Sequence, residues 1–199
     1  ERRIGELLEA HDADLRWSLS STVHPEVREY DRTVTTVLNE AVRAALANYL
    51  DRLATRVDDR GIEAGLNVIH SGGGYMTVAE AGEYAIRTVL SGPAAGAVAA
   101  KAASANAGYT NAIGIDMGGT STDVSLIRDG ELVRTTEGEI SGLPIRTPMI
   151  DVSTVGAGGG SIAWLDPGGL LHVGPASAGA DPGPACYSRG GSEPTITDA

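Results

Sequence analysis

The sequence predicts an α/β fold, and three observations carry that expectation. Apolar residues recur at spacings of three and four from Val27 to Val57, which predicts one long amphipathic helix. Two strand-like stretches flank a glycine turn between Ala112 and Ile127, which predicts a β-hairpin. Along the chain the expected order is helix, strand, helix, strand, helix, then three antiparallel strands.

Taken in order, Ile4, Leu7 and Leu8 share one face of a short helix over residues 1–11. Leu15, Trp17 and Leu19 alternate loosely and predict a strand from Leu15 to Ser21. Pro25 breaks the chain before the long helix, whose apolar positions include Tyr30, Val34, Val37, Leu38, Leu46, Leu50 and Leu53. Asp58 to Gly65 is polar and turn-like, and Leu66–His70 predicts a short buried strand that ends at Ser71-Gly72-Gly73-Gly74. A small helix follows over Thr77–Arg87. Ser91 is placed to cap the next helix and Pro93 to occupy its first turn, where the missing N–H costs nothing. That helix, Ala94 to about Ala105, is nearly all Ala, Gly and Val, a surface that can approach another backbone closely. After the hairpin, whose buried first strand is Ile113–Ile115, the turn Arg128-Asp129-Gly130 leads into a third strand, Glu131–Thr136.

Composition narrows the function. With 199 residues the chain holds one sizeable domain or two small ones. Aromatic residues make up 4% and Phe is absent, so any core is built from Ala, Val, Leu and Ile. A net charge of −11 argues against nucleic acid or an anionic membrane as partner. Lys101 is the sole lysine, a bias that a halophilic origin or GC-rich coding would each explain. One cysteine, Cys186, excludes an internal disulfide and fits a cytoplasmic protein. No uninterrupted apolar run is long enough to span a bilayer. The chain has no initiator Met and ends on Thr-Ile-Thr-Asp-Ala, so the expectation is a piece of a longer protein.

The chemistry concentrates at Asp116-Met117-Gly118-Gly119-Thr120-Ser121-Thr122-Asp123. Two glycines let main-chain N–H groups approach an anion without a Cβ in the way, and three hydroxyls add donors. A carboxylate beside a phosphate makes sense when Mg²⁺ sits between them. The stretch therefore reads as a hairpin cradle for a nucleotide phosphate and its Mg²⁺. Asp116 and Asp123 are assigned to the metal, through water, as the catalytic pair; Gly118, Gly119, Thr120, Ser121 and Thr122 are assigned to phosphate. A plain Gly-Gly hairpin is the bland alternative, and the flanking acids and hydroxyl run weigh against it. The stretch resembles the phosphate loops of the actin, sugar-kinase and heat-shock-chaperone ATPase superfamily, and it is neither a Walker loop nor a Rossmann fingerprint.

Further blocks narrow the resemblance: Pro25-Glu26-Val27-Arg28-Glu29-Tyr30, Leu90-Ser91-Gly92-Pro93-Ala94-Ala95-Gly96, Val155 to Ser161, and Val173-Gly174-Pro175 running into Ser177–Tyr187. Together these resemble the hydantoinase A / 5-oxoprolinase family, including the related β subunits of acetone-type carboxylases, over essentially the whole chain. The resemblance implies an RNase-H-like, actin-type ATPase fold. Residues 1–107 would close a first domain, with the helix at about 93–105 as interdomain connector. Residues 108–199 would open a second, containing the phosphate hairpin (112–127) and a Gly/Pro-rich segment (155–191). It also implies ATP-dependent phosphorylation of a cyclic amide carbonyl, with hydrolytic ring opening in a hydantoinase B-type partner. A ketone carboxylase subunit, a small-molecule kinase of the same superfamily and a non-catalytic scaffold are the alternatives. The isolated fragment is expected to lack ATPase activity, and a homo-oligomer is open.

Other residues carry secondary expectations. Thr35, Thr36 and Asn39 share one side of the long helix and face either a cleft, as substrate contacts, or solvent. Asp151 is a candidate to reach the site. Gly158, Gly159 and Ser161 either contact substrate or nucleotide, or form a crossing where nothing larger fits. Asp181 is the one charge in a segment, Ser177–Tyr187, that is either a substrate- or partner-facing element or a rigid corner. Cys186 is read as a buried small hydrophobe in preference to a nucleophile, and His70 and His172 as packing residues in preference to metal ligands.

Overall fold

The computed structural model describes residues 1–11, 15, 17–140 and 142–199. The helices are α1 (Arg2–His11), α2 (Ser20–Val23), α3 (Glu29–Asp59), α4 (Val78–Glu83) and α5 (Ser91–Asn106). Two short strands, β1 (Asn67–Ile69) and β2 (Tyr75–Thr77), precede α4. After α5 come β3 (Ala112–Met117), β4 (Thr122–Arg128), β5 (Glu131–Leu132), β6 (Arg134–Ile140) and β7 (Leu143–Ile150). The last strands are β8 (Val152–Val155), β9 (Ser161–Leu165) and β10 (Leu171–Ser177). The chain divides into two compact units, Glu1–Ala95 with Arg134–Ile150, and Gly96–Val133 with Asp151–Ala199.

In the first unit, α3 is the spine. It meets one apolar cluster of Val23, Ile86, Ile145 and Met149 through Leu38, and Leu50 and Leu46 join a second with Met76 and Ala81. β1 and β2 form an antiparallel hairpin in which Val68 opposes Met76. Thr77 then caps α4, accepting from the Glu80 N–H while its own N–H donates back to the Glu80 carboxylate.

Of the strand expected from Leu15 to Ser21, Arg16 lies outside the described residues; among the described ones Leu15 and residues 17–19 are irregular and Ser20 begins α2. Polar anchoring replaces strand pairing there. The Ser21 N–H donates to the Glu1 carboxylate, and Arg32 donates to both Ser20 Oγ and Glu1. β1 is half-buried at Val68 and exposed at its ends, short of the buried strand expected over Leu66–His70. Ser91 is the first residue of α5 and not its cap: the Leu90 carbonyl accepts from the Ala94 N–H at 3.1 Å, which puts Leu90 in the cap position.

In the second unit β4 is central. β3 pairs along one edge from Ala112↔Ile127 to Met117↔Thr122. Along the other edge β5 and β8 lie end to end, each antiparallel to β4. Between them the chain leaves as the β6–β7 hairpin and returns, and the Asp151 N–H donates to the Val133 carbonyl at 2.9 Å to close the gap. The third strand expected over Glu131–Thr136 is thus two, split at Val133. β6–β7 groups with the first unit, and α5 from Gly96 onward groups with the second.

The small side chains of α5 do what their size allows. A Cβ on Gly114 would lie 3.0 Å from Ala100 Cβ, so helix and strand meet at near-backbone distance. That contact uses the face of β3 bearing Gly114 and Asp116. Ile113 and Ile115 therefore point the other way and are 64% and 68% exposed, where a buried strand was expected. Among the described residues no helix is long and apolar enough to cross a membrane.

Candidate functional site

Cross-strand pairing in β3 and β4 places Asp116 directly opposite Asp123, on one face of the hairpin. Asp123 accepts from Thr154 Oγ1 on β8 at 2.6 Å. Asp116 Oδ2 lies over α5 where a Cβ on Gly96 would approach it to 3.0 Å, so the glycine makes room for the carboxylate. Among the described residues neither acid forms an ion pair, and the Asp116 carboxylate has no hydrogen-bond partner. Two like charges held together without a counter-charge suit a divalent cation. No group of three or more His, Cys, Asp or Glu is arranged for a metal among the described residues. The opposed pair Asp116 and Asp123 is a donor set of the kind that fits Mg²⁺, which keeps several waters and binds through one or two carboxylates with phosphate oxygens.

The turn between the strands is closed by the Gly118 N–H donating to the Ser121 carbonyl at 2.8 Å. Among the described residues the N–H groups of Gly119 and Thr120 have no partner, and the turn from Gly118 to Thr120 is exposed. An added Cβ on Gly119 would meet nothing within 4 Å. Unpartnered N–H groups at an open glycine are the arrangement that an anion would need.

The glycine loop from Val155 to Ser161 supports this turn from behind. Gly159 and Gly160 N–H groups donate to the carbonyls of Gly118 and Gly119 at 2.9 and 2.6 Å. A Cβ on Gly158 would lie 2.6 Å from the Gly118 carbonyl and 2.7 Å from the Ser121 nitrogen. Of the two readings open from sequence, the crossing where nothing larger fits is the one observed for Gly158. Ser161 is buried and its hydroxyl accepts from the Gly158 N–H, so it braces the loop from inside. Thr122 is likewise buried, and its hydroxyl donates to the Ala157 carbonyl at 2.6 Å, away from the open face of the turn.

A cleft of about 600 Å³ opens beside the turn, lined by Gly118, Gly119 and Thr120 and by Ala180, Pro184 and Tyr187. Gly159, Ser177 and Thr197 also reach it. Thr197 donates to the Gly159 carbonyl twice, from N–H at 2.9 Å and from Oγ1 at 2.8 Å. Asp198 accepts from the N–H groups of Cys186, Ala185 and Thr195 and from the Thr195 hydroxyl. Those donors hold its carboxyl well below the usual carboxylate range.

The hydantoinase/oxoprolinase family profile matches residues 32–199. The chain belongs to the hydantoinase/oxoprolinase family. Within that family it is 39% identical over its whole length to caprolactamase subunit alpha of Pseudomonas jessenii, covering 29% of that protein. It is 34% identical to the acetophenone carboxylase gamma subunit of Aromatoleum aromaticum, covering all of this chain and 28% of that one. Against 5-oxoprolinase of Saccharomyces cerevisiae it is 37% identical over 92% of the chain and 14% of the relative. The crystal structure of the ATP-dependent caprolactamase superposes with a TM-score of 0.83 at 38% identity, covering all of this chain and 29% of that one. A nucleotide-free acetone carboxylase structure gives 0.71 at 33%, covering 90% and 25%. This hydantoinase/oxoprolinase chain thus spans less than a third of the length of these relatives, two of which are named as subunits.

Several expected site residues of the family member lie elsewhere. Thr35 and Asn39 are fully buried inside the first unit, facing neither cleft nor solvent. Thr35 Oγ1 accepts from the Arg146 N–H, while Asn39 accepts from the Ile86 N–H and donates to the Glu83 carbonyl. Their polar character serves backbone groups that the packing of α3 removes from water. Thr36 donates to the Arg32 carbonyl one helical turn back. Asp151 and Asp181 are exposed, and neither is among the residues lining the cleft.

Cys186 is exposed and not buried; its thiol donates to the Thr197 carbonyl at 3.8 Å. The Asp198 carboxylate beside it raises its pKa, which opposes a nucleophilic thiolate. His172 stacks on Trp164 with ring centres 4.7 Å apart and pairs with Asp166 at 2.9 Å. His70 packs over the glycine turn, its Nδ1 accepting from the Gly72 N–H at 3.0 Å. Both are packing residues, as expected. Thr197 and Asp198 were absent from the sequence-based candidates. The Thr195-Ile196-Thr197-Asp198 spacing is a capping pattern and was the available signal.

Proposed function

We propose that this chain is the phosphate-binding part of an ATP-dependent enzyme of the hydantoinase A type, which activates a cyclic amide for ring opening. The observation that carries the reading is the hairpin itself: opposed carboxylates Asp116 and Asp123 beneath a turn whose Gly119 and Thr120 N–H groups are unpartnered. An RNase-H-like domain pair belongs to the same reading, with α5 as connector and the boundary near residue 107. So do a hydantoinase B-type partner subunit and a cytoplasmic setting.

In the proposed reaction the amide carbonyl oxygen attacks the terminal phosphorus of ATP. An O–P bond forms, the bond to the ADP oxygen breaks, and the ring carbon becomes an activated imidate. Water then adds to that carbon in the partner, the ring C–N bond breaks as the nitrogen takes a proton and leaves as the amine, and a second water releases phosphate from the resulting acyl phosphate. Phosphoryl transfer asks the protein for positioning and charge stabilisation more than for a nucleophile. The turn N–H groups and the Thr120 and Ser121 hydroxyls would orient the phosphate, and the two aspartates would hold Mg²⁺. Mg²⁺ bound there supplies neutralisation of the phosphate charge.

A second reading has its own support: a relative named as an acetophenone carboxylase subunit and a structural neighbour described as an acetone carboxylase. There the activated oxygen would belong to a ketone enolate or bicarbonate. ADP release by the full-length protein with its partner, measured against hydantoins, oxoproline, larger lactams, and ketones with bicarbonate, separates the two. Stimulation by a cyclic amide supports ring opening, and stimulation by a ketone with bicarbonate alone moves the protein to carboxylation. No stimulation by any of them would refute the proposal.

A further inference from the structure

We propose that Asp198 is a positioning residue for the phosphate hairpin, acting through Thr197; the inference rests on the reading of that hairpin as a nucleotide cradle. The turn Gly118–Gly119, the loop Gly159–Gly160 and three segments between Ala178 and Asp198 meet in one hydrogen-bonded chain. Asp198 Oδ1 accepts from the Cys186 N–H at 2.7 Å, and Oδ2 accepts from the Thr195 N–H and hydroxyl at 2.8 Å each and from the Ala185 N–H at 3.3 Å. That fixes the short turn Ala185–Tyr187, whose Tyr187 lines the cleft, against the Thr195–Asp198 segment. Thr197 is locked between them and donates twice to the Gly159 carbonyl. Gly159 and Gly160 then hold the carbonyls of Gly118 and Gly119, and the Ala178 N–H donates to Gly160.

The consequence follows from the order of these bonds. The carbonyls of Gly118 and Gly119 face the supporting loop, so the unpartnered N–H groups of Gly119 and Thr120 are left for the open side. Removing the Thr197 hydroxyl donor leaves Gly159 held by the Thr197 N–H alone and loosens the restraint on the orientation of the Gly118 peptide. An anion cradle depends on donors that are already aimed, because reorienting them on binding subtracts from affinity. Asp198 forms no ion pair among the described residues, so its charge serves these N–H and O–H donors. A carboxylate is required because both oxygens accept; an amide has one acceptor oxygen and would present N–H to an N–H.

The test uses the full-length protein and measures MgADP affinity and ATP turnover in Asp198→Asn, Thr197→Val and Thr197→Ser, with Asp116→Ala alongside. Asp198→Asn is expected to weaken MgADP binding about tenfold and to lower kcat. Thr197→Val should weaken binding about three- to tenfold, while Thr197→Ser, which keeps both donors, stays near wild type. Recovery in the serine variant assigns the effect to the hydrogen bond and separates it from a general loss of packing. Wild-type affinity in both Asp198→Asn and Thr197→Val, with affinity lost in Asp116→Ala, would overturn the positioning role and leave the cradle standing. Unchanged affinity in all the variants, Asp116→Ala included, would overturn both.

Discussion

Asp116 and Asp123 oppose each other across β3 and β4, two carboxylates on one face with no ion pair to either among the described residues. Like charges directly opposite in an antiparallel pair are destabilising, so this arrangement is kept at a cost that a bound cation removes. Without Mg²⁺, Asp123→Asn is expected to raise the melting temperature of the full-length protein. Added Mg²⁺ with nucleotide should raise that of the wild type and leave the variant nearly unchanged. Calorimetric scans with and without Mg²⁺ check both halves.

Gly158 and Gly119 make a matched pair. An alanine at 158 places its Cβ under 3 Å from three backbone atoms, none of which is a flexible side-chain end. Overpacking of that kind costs about 1–3 kcal/mol. An alanine at 119 meets nothing within 4 Å, so its stability should stay within about 0.5 kcal/mol of wild type. Its new methyl nonetheless crowds the unpartnered N–H groups, so turnover should fall. Urea unfolding should therefore separate the two variants, while steady-state kinetics should show turnover reduced in both, at 158 together with stability and at 119 without it.

How much of this was legible beforehand varies with the range of the interactions. The hairpin was readable because its signal is local: two acids, two glycines and the alternation of β4 all lie within residues 116–126. The long helix was readable for the same reason. Residues 15–21 alternate like a strand, yet among the described residues none of them pairs with a strand, and contacts from Glu1 and Arg32 hold Ser20 and Ser21 where α2 begins. The split of Glu131–Thr136 into β5 and β6 depends on β8 arriving some twenty residues later to occupy the rest of the β4 edge. Thr35 and Asn39 look like a polar stripe in one dimension. Their burial follows from where Arg146 and Ile86 sit, which no helical periodicity encodes.

Asn39 is the clearest structural counterpart to the site residues. Asn39→Ala would strand the Ile86 N–H and the Glu83 carbonyl. A buried polar group left unpaired costs about 1–3 kcal/mol. The expected result is a loss of that size in denaturant unfolding, with MgADP affinity per folded molecule unchanged.

His70 predicts a pH dependence. Partial burial and the nearby Arg87 and Arg134 charges push its pKa below 6.5, and its Nδ1 already accepts from the Gly72 N–H. The folded state therefore binds the proton less readily than the unfolded chain. Stability should be at its full value above the unfolded pKa of about 6.5 and should fall as pH drops toward the folded pKa. A His70→Asn variant should lose that slope. Unfolding free energies measured across the pH 5–8 range check the sign.

The most direct test of the central claim is the Mg²⁺ dependence of ADP binding to the full-length protein, compared between wild type and an Asp116→Ala, Asp123→Ala double variant. Isothermal titration should show wild-type affinity rising with Mg²⁺ and the double variant binding ADP weakly and without regard to the metal. Equal Mg²⁺ dependence in the two proteins would contradict the assignment of this hairpin as the metal and phosphate site.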